Sequence, residues 1–522
     1  MKHLASRDND PAKLWEKALA AYGSKDYGGA IQHLDKMLLR APKFADAYYL
    51  LSVCHLLLND FSAAEQAIRK ALSYNKNAEY YSNLGLILQQ SGNADGAAEA
   101  YITSLEMEPG SARACNNLAN IYSKQGRFEE AIDLYRQALA YHPNYTLGHK
   151  NLGSLFMRVH RYEEAETALR NALALDDSFV EAKEMLGIAL VETGCHDEAF
   201  SLFRSIKAWG RLQFEKRKII DWNDLAAIDK ACLEMPTTEN LSPPSPWCLI
   251  QIPGIYPALE KQKAYDFAVY ELPELKAPPI CTHRQPASVN RPLRVGYLSA
   301  DIYEHATTHL LAGVMEAHDR AACEPVIFSY SPKRDGMTDR LARSGLPIVN
   351  IADCSDQIAA REILQREIDI LVDLKGFTTG ARLGITALRP APIIVSWLGY
   401  PGTLGYDRLA DYIIGDPIVT PLEDAKHYSE RLAWMPNCYQ PNDRSRPLPP
   451  VATRAELGLP EHCLIFCSFN QLVKFNPQTF DIWSSILLSV PNSILWLLEP
   501  KSELARTNIV NEFTSRSIAA EP

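Results

Sequence analysis

No Cys-x-x-Cys pair occurs among the eleven cysteines of this 522-residue chain, and their number is odd. Disulfide frameworks and zinc ribbons need closer, more regular spacing, so single buried thiols in a reducing compartment are expected. No apolar run approaches the roughly 20 residues that cross a bilayer. The first residues, Met1 to Trp15, are charged and lack the apolar core of a signal peptide. A cytoplasmic protein is the expectation. Basic excess is also missing: the formal net charge is -10, which argues against nucleic acid and suits neutral or cationic partners. With 47% hydrophobic and 22% charged residues the composition excludes bulk disorder. The length exceeds what one core supports and predicts roughly two to four domains.

What the chain does have is a repeat. Shifted on itself by about 34 residues, the tetratricopeptide period, the sequence aligns Asn83-Leu84-Gly85, Asn117-Leu118-Ala119, Asn151-Leu152-Gly153 and Met185-Leu186-Gly187. The small residues Ala97, Ala131, Ala165 and Ala199 fall in register, and each precedes a large apolar residue by four positions: Tyr101, Tyr135, Leu169, Phe203. Pro109 and Pro143 close two of the units. Two earlier units show through Ala18/Ala30/Leu34 and Ser52/Ala64/Ile68, giving about six units over 11–210. Small residues let paired helices cross closely, and the large residue fills the groove of the neighbouring unit. An α-solenoid is predicted, with a surface suited to extended peptide. Asn83, Asn117 and Asn151 recur once per unit, with Asn116 beside one of them. Such amides can hydrogen-bond a ligand backbone, or alternatively bond neighbouring turns of the array.

After Gly210 the period is lost. A helical, Pro-rich connector is predicted for 211–290, including Pro243-Pro244-Ser245-Pro246. From Arg294 short β-rich runs alternate with helical ones: Arg294–Ser299, Pro325–Tyr330, Ile348–Ile351, Ile368–Leu374, Ile393–Leu398, Tyr412–Gly415 and Arg431–Met435. That grammar predicts a parallel, doubly wound sheet over 291–455, with its ligand crevice outside the strand carboxyl ends. A second series over 456–522 has strands at Cys463–Phe466 and Ile494–Leu498 around a helix at Pro477–Leu488. Two strands do not make a stable doubly wound domain. This segment is therefore expected to pack on the preceding sheet or to be the truncated start of a second half.

Several segments carry chemistry. His305 follows a strand-end Ser299-Ala300-Asp301, where a cleft residue or a helix-capping histidine sits. His305 and His309 have the spacing of a zinc pair, yet His305-Ala306-Thr307-Thr308-His309 lacks the glutamate of a zinc protease, and no metal is predicted. Leu398-Gly399-Tyr400-Pro401-Gly402-Thr403 reads as a strand ending in a turn whose glycines admit close backbone approach by a sugar or phosphate. Lys474 stands past a strand and near a helix start, as a solvated lysine or as a cation stabilising a departing diphosphate. Lys375-Gly376 and Arg382 flank another strand end and are weaker candidates.

Tetratricopeptide repeats followed by Arg294-Val295-Gly296-Tyr297-Leu298-Ser299-Ala300-Asp301, the His305/His309 segment, Leu398–Thr403 and Asn470-Gln471-Leu472-x-Lys474 resemble the protein O-GlcNAc transferases, in particular their SPINDLY-like bacterial relatives. The resemblance implies a GT-B glycosyltransferase of two facing Rossmann-like halves, the second incomplete here, with a nucleotide sugar between them. It implies metal-independent, inverting transfer of N-acetylglucosamine from UDP-GlcNAc to Ser or Thr of target proteins held by the repeats. His305 and Lys474 would be catalytic. Gly399, Pro401, Gly402, Thr403, Gln471 and Lys474 would bind the nucleotide sugar, and Asn83, Asn117 and Asn151 the acceptor peptide. GDP-fucose as donor and an inert repeat scaffold are the alternatives. Animal members carry a long insertion where this chain has only Asn437 to Thr453, and the family's second half runs beyond residue 522.

Overall fold

The computed structural model describes residues 10–236, 243–282, 291–443, 446 and 450–519. Parts of the segments read above, at 1–9, 237–242, 283–290 and within Asn437–Thr453, lie outside the described residues. The chain divides into two compact units, Met1–Leu202 and Phe203–Pro522, taken here in turn.

The first unit is built of helix pairs. These are α1 (Pro11–Gly23) with α2 (Tyr27–Leu38), α3 (Ala45–Leu57) with α4 (Phe61–Tyr74), and α5 (Ala78–Gln90) with α6 (Ala94–Met107). They continue as α7 (Ala112–Lys124) with α8 (Phe128–Tyr141), α9 (Thr146–Arg158) with α10 (Tyr162–Leu175), and α11 (Val180–Glu192) with α12 (His196–Ser205). The repeat is visible first in the caps. Asp26, Asp60 and Asn93 each accept a backbone N–H three residues on, at 2.8, 3.1 and 3.0 Å, and so start the second helix of their unit. Arg127 and Arg161 replace them later. Each pairs with a glutamate in the first turn, Arg127 Nη2 with Glu130 Oε2 at 2.5 Å and Arg161 Nη2 with Glu164 Oε1 at 2.6 Å. Ala97, Ala131, Ala165 and Ala199 are fully buried, as are Tyr101 and Leu169. The closeness of the crossing explains the glycines: a Cβ on Gly85 or Gly153 would lie 2.7 Å from the side chain of Tyr101 or Leu169.

The second unit opens with α13 (Trp209–Lys218), α14 (Leu225–Glu234), α15 (Pro246–Leu249) and α16 (Pro257–Glu271). A parallel seven-stranded sheet follows: β1 (Leu293–Ser299), β2 (Cys323–Ser329), β3 (Ile348–Asn350), β4 (Ile370–Asp373), β5 (Ile393–Ser396), β6 (Tyr412–Gly415) and β7 (Arg431–Trp434). Its order is β3-β2-β1-β4-β5-β6-β7. Between the strands lie α17 (Ala306–Glu316), α18 (Gly336–Arg343), α19 (Asp356–Gln365) and α20 (Leu383–Ala387).

Adjacent residues of each strand divide between two cores because side chains alternate across a sheet. Leu298, Phe328, Leu371 and Ile394 pack with residues of α19 and α20. Tyr297, Ile327, Val372 and Val395 pack with those of α17 and α18. The continuous apolar runs that marked these strands follow from burial on both faces.

Parts of the connector 211–290 and of the stretch beyond β7 are packed structure. Ala264 and Ala268 of α16 are fully buried, with Trp247 and Ile250 against the same core as α19. Beyond β7, Tyr439 joins the opposite core. Its carbonyl accepts from Trp397 Nε1 (3.0 Å), and Asp443 pairs with Arg340 (2.7 Å).

A separate parallel pair, β8 (Leu464–Ser468) and β9 (Ser493–Leu497), carries α21 (Pro477–Ser489) and α22 (Glu503–Thr514). Two strands alone are marginal. Here the core is completed from far back in the chain, because Ile220 packs with Phe475, Phe480 and Phe513. Among the described residues no helix is long and apolar enough to cross a membrane.

Candidate functional site

The strand order reverses between β1 and β4, and the crevice at their carboxyl ends is where open α/β sheets hold ligands. The two strands end in complementary charge. Asp301 follows β1 and Lys375 follows β4, and Lys375 Nζ lies 2.8 Å from Asp301 Oδ2 with both residues only 6% exposed. Each residue sits in a local turn. Ser299 Oγ accepts the Asp301 N–H (3.0 Å), and the Thr308 hydroxyl donates to the Asp301 carbonyl. Asp373, the last residue of β4, accepts the N–H groups of Lys375 (3.2 Å) and Gly376 (2.8 Å). Burial pushes the Asp373 carboxyl up to about 6, against the opposing pull of those N–H groups and the Lys375 cation.

His305 is the N-cap of α17. Its Nδ1 accepts the Thr307 N–H at 3.2 Å and lies 3.7 Å from Asp301 Oδ2, and its side chain is 38% exposed. With Nδ1 accepting, the neutral ring carries its proton on Nε2 and offers a donor there. Capping and a role in the crevice are thus compatible. His309 does not share a ligand with it: its Nε2 pairs with Glu304 Oε1 at 2.6 Å. Among the described residues no group of three or more His, Cys, Asp or Glu side chains is placed to hold a metal ion.

The turn after β5 packs backbone against backbone. Leu398 is left-handed at φ 71. A Cβ on Gly399 would lie 2.2 Å from the Leu374 carbonyl oxygen, and one on Gly376 (φ 54) would lie 2.5 Å from Tyr400 Cβ. Both positions therefore require glycine. Pro401 is exposed at the rim, whereas Gly402 is buried, its Cα backed by the Glu260 carboxylate of α16. Thr403 is buried and its hydroxyl is already spent. It donates to Glu430 Oε2 (2.8 Å) and accepts from the N–H groups of Gly405 and Ser429 (both 3.1 Å). Thr403 shapes the turn from inside.

Arg382 is likewise committed. It bonds Asp356 (2.8 Å) and the carbonyls of Ile351 (2.7 Å) and Cys354 (2.5 Å), tying down the loop after β3. Its guanidinium also lies 5.4 Å from the ring centre of Tyr330. The Tyr330 side chain is buried, and burial holds its pKa well above the ordinary value.

Gln471 and Lys474 lie on the other sheet, at the ends of a single 3-10 turn between β8 and α21. Both side chains are exposed, while Val473 and Phe475 are buried and anchor the turn. Asn476 caps α21 by accepting the Thr479 N–H (2.9 Å), with Pro477 in the first helical position. Among the described residues no carboxylate pairs with Lys474.

Among the repeat amides, Asn83 requires a correction. Asn83 is 3% exposed and its Nδ2 donates to Ser52 Oγ of the preceding unit (2.8 Å), so it presents nothing to a ligand. Asn151 donates to Asn116 (2.7 Å), Asn116 to Asn117 (3.2 Å), and Asn117 to the Tyr101 hydroxyl (3.1 Å). These bonds join successive units; Asn83 and Asn116 are buried and Asn117 and Asn151 half-buried, and leaving buried amides unpaired is costly.

Sequence reading did not assign roles to Asp301, Asp373, Tyr330, Glu260 or Glu430. The signal available for the first two was an acidic residue at a strand end, with Lys375-Gly376 directly after the second.

Residues 267–451 and 444–521 match the model described as Glycosyl transferase family 41. Residues 21–85, 78–111, 112–145 and 150–211 match tetratricopeptide repeat models. The chain is 39% identical over 215 residues to the probable UDP-N-acetylglucosamine–peptide N-acetylglucosaminyltransferase SEC of Arabidopsis thaliana, covering 40% of this chain and 22% of that protein. It is 32% identical over 217 residues to the SPINDLY protein of Oryza sativa subsp. japonica, which bears the same probable activity in its name, covering 40% and 23%. The match thus spans under a quarter of each relative's length. Among solved structures, a mutant O-GlcNAc transferase of Thermobaculum terrenum is similar at TM-score 0.45 and 24% identity, over 85% of this chain and 72% of that one.

Tetratricopeptide repeats followed by a doubly wound sheet that matches the model described as Glycosyl transferase family 41 define the class. Residues 267–521 belong to glycosyltransferase family 41.

Proposed function

We propose that the chain transfers N-acetylglucosamine from UDP-GlcNAc to Ser or Thr hydroxyls of proteins. The observation that carries this reading is the family 41 match across the crevice elements and the Lys474 turn, joined to the printed activity of relatives. In the proposed reaction the acceptor oxygen attacks the anomeric carbon as the bond to the diphosphate breaks, inverting the centre. The hydroxyl proton passes to water as that bond forms, so the products are the glycoside, the nucleoside diphosphate and one released proton. Lys474, which has no carboxylate partner among the described residues, offsets the negative charge gathering on the diphosphate, with Gln471 beside it. His305 orients the reacting groups through its Nε2 donor. The turn from Gly399 to Thr403 holds the sugar against backbone, with Pro401 at the rim and Gly402 and Thr403 fixing its shape. The repeats hold the protein acceptor, and no metal is called for. A cytoplasmic setting fits the free state of all eleven thiols.

The test is transfer of labelled sugar to a pool of cell proteins, offered as UDP-GlcNAc or GDP-fucose, with Lys474→Ala as the control. Label from UDP-GlcNAc that depends on Lys474 supports the proposal. Label from GDP-fucose alone changes the donor. Absence of label from either, with folded protein, leaves a repeat scaffold.

A further inference from the structure

The turn that bears Lys474 is supported by residues about 250 positions earlier in the chain. Directly after α13 the chain enters an irregular loop from Ile219 to Asp224. Ile220 is 2% exposed and left-handed at φ 56, and Asp224 is left-handed at φ 52. A β-branched residue with positive φ is an outlier. Such a conformation persists only where the surroundings fix it, and such sites gather at working parts of proteins.

The surroundings do fix it. Lys216, itself buried, pairs with Asp221 and with Asp224 (3.2 Å), closing the loop with one cation on two carboxylates. Arg204 holds Asp224 from a second side (2.6 Å). The Ile219 carbonyl accepts from Asn508 Nδ2 of α22 (2.7 Å). The Ile220 side chain enters the core of the β8–β9 half among Phe475, Phe480 and Phe513, and Trp222 meets Phe480 edge-on with ring centres 6.4 Å apart. Phe475 is the residue after Lys474, and it packs in turn on Trp483 (4.9 Å) and Phe480 (6.3 Å).

We propose that Ile220 is a positioning residue for Lys474: the strained loop after α13 drives its side chain beneath Phe475 and so fixes the turn that presents the Lys474 ammonium. The loop that leaves the repeat region thereby becomes part of the donor-binding half. This rests on the reading of Lys474 as a diphosphate contact, and the experiment separates the two.

Full-length protein is compared as wild type, Ile220→Ala, Ile220→Val and Phe513→Leu, by amide hydrogen exchange at Leu472–Phe475 and by UDP binding. Ile220→Ala is expected to raise exchange in the turn and weaken UDP binding, each by about tenfold. Ile220→Val keeps the branched shape and restores both. Phe513→Leu disturbs the same core away from the turn and leaves the turn's exchange near wild type. Unchanged exchange at Leu472–Phe475 in Ile220→Ala overturns the proposal, as does an equal rise in Phe513→Leu. If exchange rises as expected but wild type and Ile220→Ala bind UDP alike, the support role stands and the diphosphate role of Lys474 falls.

Discussion

Removing the Asp301 carboxylate should destabilise the doubly wound sheet far more than removing both members of its ion pair. At the 2.8 Å separation of Lys375 Nζ and Asp301 Oδ2, Coulomb's law gives a gross attraction of about 6 kcal/mol at an effective dielectric of about 20. Taking both ions from water consumes most of that, so the pair itself adds little net stability. Asp301→Asn is a different matter. It keeps the backbone bonds to Ser299 and Thr308 and leaves a cation buried without its carboxylate, a loss of about 3–5 kcal/mol. Lys375→Met strands the carboxylate in turn. The double variant leaves neither charge, so its loss should fall well short of the sum of the singles, with a coupling of about 2 kcal/mol or more. Urea unfolding of the four proteins in the full chain supplies the cycle. Single variants that each lose less than about 1 kcal/mol, or a double variant equal to the sum, would refute the placement of this pair as a buried and mutually dependent unit.

Further outcomes follow from neighbouring residues. Burial raises the Asp373 carboxyl from its ordinary 3.8 to about 6, so between those values the folded chain holds a proton that the unfolded chain has released. The stability this supplies is complete below about pH 4 and is lost as pH rises through about 6, a loss of about 3 kcal/mol. Asp373→Asn should therefore gain on wild type by about that amount between pH 4 and pH 7, read from urea midpoints, and a pH-independent difference contradicts the burial. Gly399→Ala places a methyl group against the Leu374 carbonyl, which is rigid backbone, and should cost about 1–3 kcal/mol or more in thermal unfolding while also weakening donor binding. Asn93→Ala removes the cap of α6 and should cost about 1 kcal/mol, read from the repeat unit's unfolding transition.

The layout of the fold was legible because each class of element has its own period. Tyr412–Gly415 was read with the bounds the strand has. Ile393–Leu398 was read two residues too long, since the apolar pattern continues through Trp397 and Leu398 while the backbone at Leu398 has already turned left-handed. The repeats were legible through Ala and Tyr positions that packing demands once per unit. Their asparagines were open to two readings, because a buried amide bonding Ser52 and an exposed amide awaiting a peptide are the same letter at the same spacing. The site was legible only in part for a related reason. Asp301 and Lys375 stand 74 residues apart, and their pairing exists only because β1 and β4 become neighbours where the strand order reverses. Ile220 gave no signal at all: its strain is a property of the backbone, and its partners come from the last strand–helix units of the chain.

Equilibrium binding of UDP-GlcNAc to the purified full-length chain, measured by calorimetry beside Lys474→Ala and with GDP-fucose as competitor donor, tests the central claim most directly. The account predicts saturable UDP-GlcNAc binding that Lys474→Ala weakens by about tenfold or more, in keeping with the loss of one charged contact. Binding indifferent to Lys474, or binding of GDP-fucose in place of UDP-GlcNAc, would contradict it.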